Sequence, residues 1–598
     1  MQNTRLETRS SFWGGLARLV EGPVAWLVTL VLIPILLVTV LLLPPINLLD
    51  RLQALTYTRI SPAGGMVIDP DGTTANFPAE GVSSTFLASI GSVPRSEFIE
   101  GQAGRDLYEA AANLPDYLIP KSPLYQLDVR GADPDLTVLT IPIPNDSLPY
   151  ETLGVYSWVD EEWVHVQNVV YTGDDVIESR LDAVPTSFMV MQTVPGLATA
   201  TADLGLSAQL PQGAAVTNEA KAGLYLRGDG ALEGTAPVNS GYTLPVIRNW
   251  IDGTVRTDLI NNLLADPGQQ ENQLVAVEQT VVQNGYPGVV IDYRGVDAVP
   301  SARADYALFI ERMAEKLHAA GKTIAVRVEA PRQISADSWD TLGYDWAALS
   351  DSVDTLIVPA PVDPRAYEPG GETEALLTWA TSQVERRKLQ LELPGQSVER
   401  AGNYLLMKGY QESLQPLLAE IRAENPDGRP EVAISLDNAR LLERVSWDES
   451  TGMYSYSYID DQGFERTVYI ENAASIAHKL NMMDEYNTRD VSLVVHPAGD
   501  TDPNIWNILY QFQNNGELTT STNRMSVAYT VSDNSGNVVA QDVRPLDEAG
   551  MAFLPAEGSG ELKIEAQILG ANGQPVTVST STLYAGNSTA GDKPAEVS

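Results

Sequence analysis

The hydrophobic pattern of the chain opens with one uninterrupted run. Residues 24–43, VAWLVTLVLIPILLVTVLLL, carry no charge and end at Pro44-Pro45. At 1.5 Å per residue such a run spans about 30 Å of hydrocarbon and predicts a transmembrane helix. Pro34 is tolerated inside a bilayer span, and Trp13 and Trp26 suit its interfaces. Arg5, Arg9 and Arg18 precede the run, whereas Arg51 and Arg59 are the basic residues soon after it. This bias puts residues 1–23 in the cytoplasm and the bulk of the chain outside the cell membrane, with a bilayer contact through 24–43. The rival is a cleaved signal peptide, whose apolar region is shorter and ends in small residues.

Beyond the run the grammar changes twice. Residues 60–205 show short, often alternating segments between turn residues, such as Met66-Val67-Ile68 before Asp69-Pro70-Asp71-Gly72. They predict a β-sandwich with one helix near 105–114. Residues 220–513 alternate apolar strands with helical patterns, which predicts βα units on a parallel sheet. Strands are expected at 244–247, 288–293, 323–328, 355–358, 389–393, 431–435 and 491–495. Helices are expected at 256–264, 269–283 and 302–320, the last with Tyr306, Phe309, Ile310, Met313 and Leu317 on one face. So many units point to a (β/α)8 TIM barrel; the doubly wound alternative lacks a glycine-rich phosphate loop after a strand. Residues 514–585 return to strands and predict an Ig-like β-sandwich, and 586–598 has the composition of a disordered tail.

Composition narrows the chemistry. Lys and Arg number 38 against 78 Asp and Glu, a net charge of −40, which repels nucleic acid. There is no cysteine, so disulfides and thiolate chemistry are excluded. The four histidines, His165, His318, His478 and His496, stand singly without metal-ligand spacing, so neither a metal nor a cofactor is expected.

The chemistry of a barrel sits at the C-terminal ends of its strands. There, Gly285-Tyr286-Pro287-Gly288-Val289-Val290-Ile291-Asp292-Tyr293-Arg294 resembles the fourth-strand motif of family-18 glycoside hydrolases, the family of chitinases and spore-germination peptidoglycan hydrolases. Leu224-Tyr225-Leu226, Tyr344-Asp345-Trp346, Leu389-Gln390-Leu391-Glu392-Leu393-Pro394 and the segment from Tyr469 to Leu480 resemble further family pieces in family order. The family motif is Asp-Gly-x-Asp-x-Asp-x-Glu, in which the Glu protonates the leaving oxygen and the preceding Asp orients the substrate's N-acetyl group. Carried over, the orienting Asp is Asp292, the middle Asp falls on Val290, and the acid falls on Arg294. The sixth-strand Tyr is lost within Pro359-Ala360-Pro361-Val362, and the eighth-strand Trp falls on Val494 or Val495.

A guanidinium with a pKa above about 12 gives up no proton near neutral pH. The resemblance therefore implies a barrel that binds a chitin- or peptidoglycan-like polysaccharide without efficient hydrolysis. Candidate binding residues are Asp292, Tyr293, Arg294, Trp250 and Tyr367. Asp292 is equally readable as an ion-pair partner of Arg294 or Arg327, and Glu329 as a relocated acid or as a partner of Arg294. Two alternatives stay open: an active glycosidase rebuilt around Asp292 and Glu329, and a surface scaffold that binds no sugar. Sequence leaves the glycan, any protein partner and the oligomeric state undetermined.

Overall fold

The computed structural model describes residues 35–36 and 57–585, apart from 103, 206–208, 336–337, 419–420, 425–430, 437–440, 497–498 and 556–559. Eight parallel strands close into a barrel: β1 (Thr199–Leu204), β2 (Asn218–Leu226), β3 (Thr243–Arg248), β4 (Gly288–Asp292), β5 (Thr323–Arg327), β6 (Thr355–Pro359), β7 (Leu389–Pro394) and β8 (Asp490–Val494). β1 pairs with both β8 and β2, which leaves no free edge. Alternation along each strand sorts the side chains. Ile247, Ile291, Val326, Val358 and Leu391 pack outward beneath the helices, while Val246, Val290 and Ile357 form a small separate core with Ala220.

Three of the outer helices begin at side-chain caps, Asp266, Asp345 and Asn472. α1 (Thr257–Ala265) is followed by α2 (Pro267–Gln283), whose N-cap Asp266 accepts from the Gly268 and Gln269 amides. α3 (Pro300–Ala319) buries the predicted stripe of Tyr306, Phe309, Ile310, Met313 and Leu317. α4 (Trp346–Ser352), α5 (Glu372–Gln383), α6 (Ala473–Glu485) and α7 (Ile505–Gln513) complete the ring. β2 is followed by an antiparallel strand, Leu232–Gly234, rather than by a helix.

Two strand assignments differ from the sequence reading. β1 lies inside the stretch expected to be sandwich, so the barrel starts before residue 220. Its sequence, Thr-Ala-Thr-Ala-Asp-Leu, is too small and polar to read as a buried strand. Glu431–Ser435, expected in the barrel, instead pairs antiparallel with Met551–Pro555. A short apolar run does not specify its partner.

Before the barrel, two antiparallel sheets face each other around Phe77, Phe86, Ile141, Val155 and Phe188. Helix Arg105–Ala112 covers an outer face through Leu107 and Ala110 against Trp163 and Met191. After the barrel, Val538–Pro545, Ser526–Ser532, Gly560–Leu569 and Pro575–Ala585 form a four-stranded antiparallel sheet. Its inner residues Val527, Tyr529, Ile564 and Ile568 share one core with Tyr410, Ile434, Tyr454 and Val468, which come from the long insertion between β7 and α6. In place of the Ig-like sandwich expected at 514–585 there is thus one sheet in a joint unit, its apolar face buried by the insertion.

Among the described residues no helix is long and apolar enough to cross a membrane. The expected span 24–43 lies outside the described residues, apart from the helical pair Ile35 and Leu36.

Candidate functional site

The C-terminal strand ends bring six charged side chains together: Asp203 from β1, Arg248 from β3, Asp292 from β4, Arg327 from β5, Glu392 from β7, and Arg294 two residues past Asp292. Arg248 and Asp292 are register partners on neighbouring strands, so both point to the same face. Asp292 is the hub. Its Oδ2 accepts from Arg248 Nε at 3.2 Å and from Arg327 Nη1 at 3.3 Å, and its Oδ1 accepts from Arg294 Nε at 3.0 Å. Arg248 and Arg327 also lie 3.7 and 3.5 Å from Asp203, and Arg327 pairs with Glu392.

Burial alone would raise the Asp292 carboxyl, but Arg327, Arg294 and Arg248 together hold it below the usual carboxylate range. The balance reverses at Glu392, where burial outweighs Arg327 and pushes the carboxyl up to about 7. Burial likewise raises Asp203 despite the same arginines. Three arginines face three acids, so the cluster spends its charge internally.

Arg294 is fixed at both ends. Its backbone N–H donates to Asn249 Oδ1 at 2.8 Å, and its carbonyl accepts from Asn249 Nδ2 at 2.8 Å. Its guanidinium lies 3.9 Å from the Trp250 ring centroid, and that of Arg248 lies 4.4 Å away. Trp250 stands on a small hairpin, Trp250–Ile251 with Thr254–Val255, beside the mouth. Arg294, which the sequence resemblance sets at the acid position, is thus a paired, stacked guanidinium.

The other candidates divide. Glu329 Oε2 accepts from the Gly295 N–H at 2.8 Å and from the Tyr344 hydroxyl at 3.1 Å, and no ion pair joins it to Arg294 among the described residues. It ties the loop after β4 to α4's approach instead. Tyr293 is fully buried and hydrogen-bonds Gln273 of α2, because the residue after the inward-facing Asp292 must turn outward. Tyr367 is buried against Ala366 and Met482, and its hydroxyl donates to the Pro361 carbonyl at 2.8 Å. Neither tyrosine offers a free face at the mouth. Asp363 and Asp502 serve as caps, accepting from the Arg365 and Ala473 amides.

Sequence reasoning missed Asp203, Arg248 and Glu392. The alternation of Leu-Gln-Leu-Glu-Leu was a usable signal for Glu392, because only one parity can face the barrel axis. Asp203 gave none, since its strand was unrecognised. Among the described residues no group of His, Asp and Glu has the arrangement to hold a metal ion.

No protein-family profile matches the chain. It is similar to YdhD of Bacillus subtilis, provisionally named a sporulation-specific glycosylase, with 22% identity over 262 residues, 42% of this chain and 56% of that one. It is also similar to the cortical fragment-lytic enzyme of Bacillus anthracis, with 23% identity over 284 residues, 45% of this chain and 60% of that one. The chain thus spans little more than half the length of these relatives. Among solved structures, a chitinase from Chromobacterium violaceum aligns at 20% identity and a TM-score of 0.41, covering 53% of this chain and 98% of that one. Over less than half of its length, this chain is similar to glycosylases and chitinase-like spore cortex-lytic enzymes.

Proposed function

We propose that the barrel mouth binds a cell-envelope or extracellular polysaccharide of chitin or peptidoglycan type and does not cut it efficiently. One observation carries this reading: Arg294, which the sequence resemblance aligns with the family's acid, is locked to Asp292 and stacked on Trp250. A guanidinium held in an ion pair supplies no proton to a leaving oxygen. Asp292, which the resemblance aligns with the family's orienting carboxylate, is kept ionised by three arginines and is an acceptor, not an acid. Trp250 is the aromatic side chain beside the mouth, and with the Arg294 and Arg248 guanidiniums stacked on it a sugar would meet a cation–aromatic stack rather than a bare ring face. The cell-surface setting belongs to the same proposal, with residues 24–43 as the membrane anchor and the bulk outside the cytoplasm.

The test is co-sedimentation of the full-length chain with insoluble chitin and with peptidoglycan, followed by analysis of soluble products. Retention on the glycan without released sugar supports the proposal. Steady release of reducing ends, abolished by Glu329→Gln, overturns it and shows a rebuilt acid. Failure to sediment with either glycan favours a scaffold that binds no sugar.

A further inference from the structure

A second site lies away from the mouth, where the N-terminal sandwich meets the barrel. Arg386 immediately precedes β7, so it stands at the end of the barrel opposite the strand ends that carry Asp292. It forms part of the wall of a cavity of about 300 Å³ between the two units. Its side chain is almost completely buried, with the residue 3% exposed. Nη2 donates to the Glu151 and Leu153 carbonyls at 2.7 and 2.9 Å, which pins the sandwich to the barrel. Nε and Nη1 have no hydrogen-bond partner.

This is an unusual charge to leave buried. Every buried arginine of the mouth has a carboxylate, whereas no described carboxylate pairs with Arg386. Nearby His165 adds no charge, because burial and the Arg386 guanidinium push its pKa down to about 3. Glu385 engages the Tyr117 hydroxyl, and Glu151 lies exposed at the rim. An unpaired guanidinium in a low-dielectric seam is costly unless an anion joins it.

The rest of the cavity says what kind of anion fits. Leu153, Val170, Ala375 and Trp379 give it apolar walls. Thr378 is already bonded to the Tyr486 hydroxyl at 3.1 Å, and Ser382 donates to the Trp379 carbonyl at 2.6 Å, so these two hydroxyls are engaged. We infer that this seam is a binding site for a small organic carboxylate with a flat apolar body, its charge facing Arg386 and its body lying against Trp379 and Ala375. This inference is independent of the reading of the mouth.

Benzoate is the probe, benzamide its uncharged isostere, and inorganic phosphate an anion without an apolar body. Calorimetric titration of the full-length chain should give a benzoate Kd at or below about 1 mM, with benzamide and phosphate at least roughly tenfold weaker. Ala375→Phe fills the cavity while leaving the Arg386 pins in place, and should abolish benzoate binding without lowering the melting temperature. Arg386→Met should abolish it as well; because it also loses the carbonyl bonds, Ala375→Phe decides the case if Arg386→Met fails to fold. Equal binding of benzamide or phosphate, undiminished binding to Ala375→Phe, or no benzoate binding overturns the inference.

Discussion

Asp292→Asn tests whether the charge cluster holds the barrel mouth together. The substitution keeps the side chain's shape and removes one negative charge from a residue whose side chain is 1% exposed. Its three partners are not affected equally. Arg248 and Arg327 keep Asp203, and Arg327 keeps Glu392, but Arg294 loses its only carboxylate in the cluster. Breaking a buried pair costs about 3–5 kcal/mol. The surviving partners, and the 27% exposure of the Arg294 side chain, place this case near about 3 kcal/mol. Over the barrel, Thr199 to Gln513, that is a fall of roughly 4–5 °C in the thermal midpoint. Adding Arg294→Gln removes the charge left without a partner, so the double variant should regain about half of the loss, a coupling of roughly 1–2 kcal/mol. Thermal and urea melts of the two single variants and the double variant measure this directly. If Asp292→Asn lies within about 1 kcal/mol of the parent, or the two changes simply add, the cluster does not hold the mouth and the argument fails.

Arg294→Glu alone should not create a chitinase, because Val290 leaves Asp292 without a supporting carboxylate and Pro361 supplies no Tyr; the triple change Arg294→Glu, Val290→Asp, Pro361→Tyr has the better prospect of trace turnover in a fluorogenic chitobioside assay. Losing each supporting group typically costs about 10²–10⁴-fold, so turnover by the single variant near that of an active chitinase refutes the site reading. Asp490, inside the barrel and bonded to Thr199 and Gln390, has its carboxyl pushed up to about 6 by burial. A raised folded-state pKa means the folded chain holds the proton longer, so stability from this group is full below about pH 4 and declines as pH rises through about 6. Asp490→Asn should flatten that slope and raise stability at pH 7 by about 2–3 kcal/mol, read from urea melts across pH; an unchanged slope rejects it. Trp250→Ala should lower glycan retention in the sedimentation assay by at least roughly tenfold, while Tyr293→Phe and Tyr367→Phe leave it within about twofold. Equal loss in all three would move the binding surface elsewhere. On cell fractionation the chain should sit in the membrane fraction and be open to external protease, and a mature N-terminus beginning after Leu43 would remove the anchor.

The sequence by itself determined the parts of this protein whose information is local. Continuous apolar runs such as Val289-Val290-Ile291 require a strand covered on both faces, and the stripe from Tyr306 to Leu317 requires a helix against it. The order of such units was enough for the barrel, and the spacing around Asp292 carried the resemblance that sets Arg294 at the acid position. Tertiary structure decided what local pattern leaves open. β1 becomes a barrel strand only because β8 and β2 hold its backbone on both sides, and Glu431–Ser435 leaves the barrel because Met551–Pro555 offers it an edge. Parity along β4 sends Asp292 inward and Tyr293 outward, which removes a sugar-binding candidate that sequence placed beside it. The partners of Asp292 come from β3, β5 and the loop after β4, and those of Arg386 from a sandwich more than 200 residues earlier. Charge pairing and burial act through space, so apart from the neighbouring Arg294 these partners lie outside any local window of the sequence.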